Sequence, residues 1–166
     1  MLYQLIETLD KKLRFDRARA HCDIPCGIYD PILPQIAALT VVLMIDLMAT
    51  FDKDHPEKDM TYFNTMSRYI AVKEEHAEKV KQDVRVIWGD YFKAQHIEQY
   101  PELQALTHEI MSLGSKCRQT ADREVALKLV DRINRFAEIF WTTKGVAIKR
   151  AKAPYAPALE LVYPNL

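Results

Sequence analysis

The sequence has little glycine, few cysteines and no net charge. Only four of its 166 residues are glycine and 49 % are hydrophobic, which excludes fibrous and disordered classes and favours a helical globular domain. Basic and acidic residues number 23 each, so no overall charge indicates a nucleic acid or an anionic membrane as partner. Three cysteines cannot form a fully paired disulfide framework, which predicts a reducing compartment, the cytoplasm.

The sequence also lacks an uninterrupted apolar run of membrane-spanning length. Its most apolar stretch, Ile36–Ala49, is interrupted by Thr40 and Asp46. A transmembrane helix needs about twenty predominantly apolar residues, so this stretch is expected to be a core or interface helix.

The residues with the clearest chemistry lie close together near the N-terminus. His21, Cys22 and Cys26 place one imidazole and two thiols within six residues, a set that suits a soft or borderline transition metal. If the chain were cut before His21, that residue would have a free amine. A metal ion could then be bound in one plane by this amine, the Cys22 amide nitrogen and the two cysteine sulfurs, with the His21 imidazole as an axial ligand. Planar coordination indicates nickel or copper rather than tetrahedral zinc. A small disulfide or half of a zinc site are the alternatives.

The segment around these residues carries a family resemblance. His21–Pro31, with the sequence HCDIPCGIYDP, resembles the nickel hook of nickel superoxide dismutases, and residues 21–31 are called the hook below. Further similarity lies in Val86–Lys93, Tyr100–Leu103 and Ile139–Lys144, so the resemblance extends to about Lys144.

The resemblance implies a function, a cofactor and an assembly. It implies conversion of superoxide to dioxygen and hydrogen peroxide at a redox-cycling Ni(III)/Ni(II) site, with one nickel ion per subunit. The metal ligands would be His21, Cys22 and Cys26, in a homohexamer. A non-catalytic nickel or copper carrier is the alternative, because it would share the same ligands and differ only in lacking catalytic residues around them.

The resemblance also implies residues that act beside the metal. Tyr29 corresponds to a tyrosine that hydrogen-bonds small anions or water near the open metal face, and Tyr91 to a second active-site tyrosine. Asp23 is a further candidate catalytic residue, although a turn-forming role is an alternative. Some family members orient the axial imidazole with a glutamate and an arginine. This sequence has Ala37 and His76 at those positions, so His76 is a candidate partner or a surface residue.

Hydrophobic periodicity predicts an all-α fold, an antiparallel four-helix bundle with an N-terminal metal-binding hook. The predicted helices cover residues 34 to about 50, 60–89, 101–114 and 120 to about 140, with Thr120 as an N-cap and a connecting loop over 91–100. No strand is predicted, and residues 151–166 are expected to form an extended tail of the single domain 21–166.

Residues 1–20 are predicted to be a leader that a maturation protease removes by cutting before His21. The leader lacks the apolar stretch of about 7–15 residues that a secretory signal requires. An amphipathic helix that stays attached is the alternative, because Leu2, Leu5, Ile6 and Leu9 recur at helical spacing.

Overall fold

The computed structural model describes residues 27–166, so the predicted leader and His21–Cys26 of the hook lie outside the described residues. The prediction of a mainly helical fold is confirmed. In chain order the elements are α1 (Ile32–Asp54), α2 (Met60–Val86), a π-helical turn (Ile87–Tyr91), α3 (Ala94–Gln99), α4 (Leu103–Gln119), α5 (Arg123–Thr143), β1 (Ile148–Lys152) and β2 (Glu160–Pro164).

The four long helices pack around one hydrophobic core. Helix α1 lies against α2 and α5, and α4 lies against the same two helices. The apolar face predicted for α5 is confirmed, because its central side chains are fully buried; these are Leu129, Ile133, Phe136 and Phe140. Burial of such side chains is the main favourable term in folding, at about 25 cal/mol per Å² of apolar surface.

Aspartate side chains accept backbone hydrogen bonds at the start of three helices, and at α2 Asp59 accepts from the Tyr62 amide over 2.7 Å. The Ile32 amide donates to Asp30 Oδ1 over 2.8 Å at the start of α1, where Pro34 occupies the first turn as predicted. At the start of α5, Asp122 accepts from the amides of Glu124 and Val125. The prediction of Thr120 as this N-cap is wrong, since its hydroxyl donates back to the Lys116 carbonyl at the end of α4.

The prediction that a helix ends at Gly114 is also wrong, because α4 continues to Gln119. Gly114 is buried inside the helix, and a Cβ built there would lie 2.8 Å from Cγ of Lys81 on α2. The glycine therefore permits a close approach between α2 and α4 and does not terminate the helix.

Two further segments differ from the prediction. Residues 91–100, expected to be a loop, contain the end of the π-helical turn and all of α3. The tail forms an antiparallel hairpin, in which Ile148 pairs with Pro164 and Lys152 with Glu160. These strands are five residues each, and only Leu161 and Val162 of β2 are buried, so no alternating pattern was long enough to reveal them.

Helix α1 and the first half of α2 leave apolar side chains exposed. Phe63 is 54 % exposed and Ile70 is 36 % exposed, although both recur at the spacing of the buried side chains Ala77, Val80 and Val84. By length and composition α1 is apolar enough to cross a membrane, yet 44 % of its most apolar stretch is buried against the rest of the protein. A single helix of this kind is equally typical of the core of a soluble protein.

A buried lysine joins α2 to the end of α4. Lys73 is 2 % exposed, and its ammonium group donates to the carbonyls of Cys117, Arg118 and Thr120. The last carbonyls of a helix have no partner within the helix, so Lys73 supplies a donor to this helix end, where the Cys117 carbonyl is buried and the other two are partly buried. Burial lowers the pKa of Lys73, whereas the carbonyl oxygens favour its charged form.

We expect Lys73→Met to lower the free energy of unfolding by about 1–3 kcal/mol, because it leaves buried carbonyls without a donor. Urea denaturation would measure the change. Lys79→Met is the matched control: Lys79 is half-exposed and pairs with Glu75 on the surface, so the loss should be small. Equal stability of the two variants would contradict the capping role.

Candidate functional site

The described structure begins at the last residues of the hook. The predicted ligands His21, Cys22 and Cys26, and the candidate Asp23, lie outside the described residues. Gly27 has a φ of +68°, a backbone conformation that residues with a Cβ rarely adopt. Glycine therefore suits this position, and Pro31 is buried where α1 begins.

The fold brings the two predicted tyrosines together. Tyr29 is half-buried and packs against the core, and its ring centroid lies 5.9 Å from that of Tyr91 with an angle of 52° between the planes. Tyr29 precedes α1, whereas Tyr91 ends the π-helical turn that follows α2. Sixty-two positions separate them in the sequence, so the packing of α1 on α2 creates this contact.

Tyr91 is held by residues at the end of α5. Its hydroxyl forms a 2.8 Å hydrogen bond with Thr143 Oγ1, and its ring centroid lies 4.6 Å from that of Phe140. The ammonium group of Lys144 lies 4.9 Å from the centre of the Tyr91 ring, within cation–π distance. Sequence reasoning assigned no role to Thr143 or Lys144, although both belong to the Ile139–Lys144 segment that carries part of the resemblance.

His96, in the first turn of α3, also belongs to this cluster. Its ring stacks on Tyr91 at a centroid distance of 5.5 Å and an interplanar angle of 13°. His96 Nδ1 accepts a hydrogen bond from the Lys93 amide over 3.1 Å, which fixes the first turn of α3. The side chain of Lys93 is exposed and donates to the Asp90 carbonyl over 2.7 Å.

A cavity of about 140 Å³ lies between the end of the hook and α2. Ile28, Tyr29 and Leu33 line one side, and Asp83 and Val86 line the other. Burial raises the pKa of the Asp83 carboxyl, and the cation of Lys79 opposes this effect only in part. Asp83 is a polar group of the site that no sequence pattern singled out.

The two positions that correspond to the glutamate and the arginine of some family members occupy different environments. Ala37 is buried in the core, where it offers no polar group. His76 is half-buried, and its Nδ1 lies 2.8 Å from the Val72 carbonyl of the same helix. A role for His76 beside the metal stays a prediction, since His21 lies outside the described residues.

Within residues 27–166, no cluster of three or more His, Cys, Asp or Glu side chains could hold a metal ion. Cys117 is buried at 1 % exposure near the end of α4, and burial raises the pKa of its thiol to about 11. No such cluster of described residues includes it. The remaining sulfur donors are Cys22 and Cys26. With His21 they form the nitrogen-and-sulfur donor set that suits nickel, so the residues present fit this metal.

Comparison with known proteins matches the chain to one family. Residues 16–144 match the family model of nickel-containing superoxide dismutase. The chain is 39 % identical over 125 residues to a nickel superoxide dismutase of Streptomyces coelicolor, covering 75 % of this chain and 88 % of that one. A second relative, from Streptomyces seoulensis, is 37 % identical over 128 residues and covers 77 % and 91 %.

Solved structures of nickel superoxide dismutase have the same fold. A native structure is 36 % identical with a TM-score of 0.65, covering 75 % of this chain and 99 % of that chain. An apo structure is 34 % identical with a TM-score of 0.62, covering 72 % and 99 %.

We expect Tyr91→Phe to lower the free energy of unfolding by about 0.5–1.5 kcal/mol, because it removes one hydrogen bond and keeps the ring packing. The Thr143 hydroxyl would keep its 2.7 Å bond to the Phe140 carbonyl. Urea denaturation would measure this, with Tyr155→Phe in the exposed hairpin loop as the control. A loss of more than about 3 kcal/mol would mean that the ring itself moves when the bond is lost.

Proposed function

The chain belongs to the nickel-containing superoxide dismutase family, and from this premise we propose how its residues perform the reaction. The protein is a nickel-dependent superoxide dismutase, which converts superoxide to dioxygen and hydrogen peroxide. The observation that carries the residue-level proposal is the contact between Tyr29 and Tyr91 directly after the hook.

His21, Cys22 and Cys26 would hold one nickel ion per subunit. Bound nickel supplies the one-electron exchange with superoxide. The free amine of His21 exists only after the leader is removed, so a cytoplasmic protease that cuts before His21 is part of the proposal. Asp23, inside the hook, would accept hydrogen bonds from hook amides and hold the loop in shape.

Tyr29 would hydrogen-bond a small anion or a water molecule at the metal. Its ring rests on Tyr91, whose own hydroxyl is engaged by Thr143. Tyr91 is thereby held in one position and supports the Tyr29 ring. Tyr29 is the tyrosine proposed to contact the substrate.

Superoxide is an anion, and two cations lie near the tyrosine pair. Lys144 sits over the Tyr91 ring, and the ammonium group of Lys93 is held at the carbonyl of Asp90, three residues before Lys93. Positive charge at the mouth of a site raises the local concentration of an anionic substrate, an effect that salt screens. The overall net charge of zero does not oppose such local steering.

The proposed assembly is a homohexamer of antiparallel four-helix bundles. The exposed apolar side chains on α1 and α2 support extensive contact between subunits, because a monomer gains nothing by exposing them. They are Leu33 and Ile36 on α1, and Met60, Phe63 and Ile70 on α2.

The first test concerns processing. We expect the full-length chain to bind nickel weakly and to be inactive, and the chain beginning at His21 to bind one nickel ion and consume superoxide. Intact mass, metal analysis and pulse-radiolysis kinetics on the same preparations would measure this. Full activity in protein that still carries residues 1–20 would contradict the amine ligand.

The cysteines provide a matched control for the metal site. Cys22→Ser in the trimmed protein should abolish turnover, because it removes a thiolate donor. Cys117→Ser should keep turnover, because that thiol is buried at the end of α4. A trimmed, nickel-loaded protein that binds the metal but never consumes superoxide would favour the carrier alternative.

The second test concerns Tyr29. We expect Tyr29→Phe to keep its nickel content and most of its stability, losing about 0.5–1.5 kcal/mol, while its rate saturates at a different superoxide concentration. The physical reason is that the ring packing is kept and only the hydroxyl that contacts the anion is lost. Tyr155→Phe is again the control. If the rate depends on superoxide concentration in the same way in Tyr29→Phe and in the parent, Tyr29 has only a packing role.

A further inference from the structure

The C-terminal hairpin lies outside the family match. The match ends at residue 144, whereas the hairpin strands cover Ile148–Lys152 and Glu160–Pro164. The hairpin is nevertheless integrated into the fold, since Leu161 and Val162 are buried and both strands contact α5. An element of this kind needs an explanation of its own, because the family fold does not account for it.

A pair of buried amide side chains attaches the hairpin to α1 and α5. Gln35 on α1 is 1 % exposed and Asn134 on α5 is 4 % exposed. Gln35 Nε2 donates to Asn134 Oδ1 over 3.0 Å and to the Val162 carbonyl over 3.1 Å. Asn134 Nδ2 donates to the Glu160 carbonyl over 2.8 Å, and its Oδ1 accepts from the Val162 amide over 3.3 Å.

The hydrogen bonds fix the orientation of the Gln35 carboxamide. Turning it over would point Oε1 at two other acceptors, Asn134 Oδ1 and the Val162 carbonyl. Four hydrogen bonds link the two amide side chains to each other and to β2, so this network specifies one position of the hairpin against the two helices. Gln35 Oε1 is the one side-chain atom of the pair that is buried without a hydrogen-bond partner among the described residues.

Gln35 belongs to the first turn of α1, directly after the hook. The backbone amide of Gln35 donates to the Pro31 carbonyl over 3.2 Å, and Pro31 is only two residues from Tyr29. The Gln35 side chain therefore links the Val162 carbonyl to the first turn of α1, and that turn leads directly back to Tyr29.

The other end of the hairpin begins beside Tyr91. The Val146 amide donates to the Trp141 carbonyl over 3.0 Å, and the Asn165 amide donates to the Ala147 carbonyl over 2.8 Å. These bonds hold the base of the hairpin against the end of α5, where Thr143 and Lys144 contact Tyr91. The hairpin thus joins the end of α5, which contacts Tyr91, to the start of α1, which follows Tyr29.

We propose that the C-terminal hairpin sets the placement of Tyr29 against Tyr91, with Gln35 and Asn134 as positioning residues. The hairpin ties the first turn of α1 to α5 and so limits the movement of the chain that leads into the hook. The functional part of this inference rests on the proposed role of Tyr29, whereas the mechanical part concerns described residues alone.

Hydrogen exchange of the metal-free full-length chain tests the mechanical part. Asn134→Leu keeps the side-chain volume but removes all of the Asn134 side-chain hydrogen bonds. We expect hydrogen exchange of the Gln35 backbone amide to become faster by about tenfold, because the first turn of α1 is no longer tied to α5 through Asn134. Lys73→Met is the control for lost global stability, since it loses three hydrogen bonds at the end of α4, and exchange of the Gln35 backbone amide should rise less in it than in Asn134→Leu.

Gln35→Met is a milder second variant, because it leaves the bonds between Asn134 and the hairpin intact. The proposal would be overturned if exchange of the Gln35 backbone amide rose no more in Asn134→Leu and in Gln35→Met than it does in Lys73→Met.

Kinetics of the trimmed, nickel-loaded variants test the functional part. We expect Gln35→Met to keep its nickel content and raise KM for superoxide several-fold, whereas Lys73→Met leaves KM unchanged. A KM equal to that of the parent in Gln35→Met would overturn the positioning role. An inactive parent whose Gln35 amide responds as expected would instead count against the proposed function and leave the mechanical link standing.

Discussion

The contact of Tyr91 with the end of α5 is the interaction on which the candidate site depends. Phe140, Thr143 and Lys144 surround the Tyr91 ring with a packing contact, a hydrogen bond and a cation. Aromatic rings have few rotatable bonds, so a ring held on several sides is a rigid surface. Tyr29 packs on that surface, and its position therefore follows from the position of Tyr91.

Polar groups in this protein are buried where helices must keep a defined relation to each other. Lys73 fixes the end of α4 on α2, and the pair Gln35 and Asn134 fixes the hairpin on α1 and α5. Apolar packing alone tolerates small shifts, whereas buried hydrogen bonds lose free energy quickly when their geometry changes. The two networks lie at different places in the bundle, which allows stability and site geometry to be separated by mutation.

The helices could be predicted from periodicity, but several of their boundaries could not. Gly114 and Thr120 follow common rules for helix ends, yet Gly114 lies inside α4 against Lys81, and Asp122 caps α5. At Gly114 a contact with another helix outweighed the local preference, whereas at Thr120 a competing local hydrogen bond to the Lys116 carbonyl did so. The hairpin escaped prediction because two adjacent buried side chains, Leu161 and Val162, carry no period.

The sequence by itself determined the chemistry of this protein. The order and spacing of His21, Cys22 and Cys26 identified the donor set and the family, because ligands that are close in sequence need no tertiary contact to meet. Only the tertiary structure decided which distant residues accompany them. Tyr29 meets Tyr91, and Gln35 meets Asn134 and Val162, because helix packing creates these contacts between residues whose spacing in the chain carries no signal.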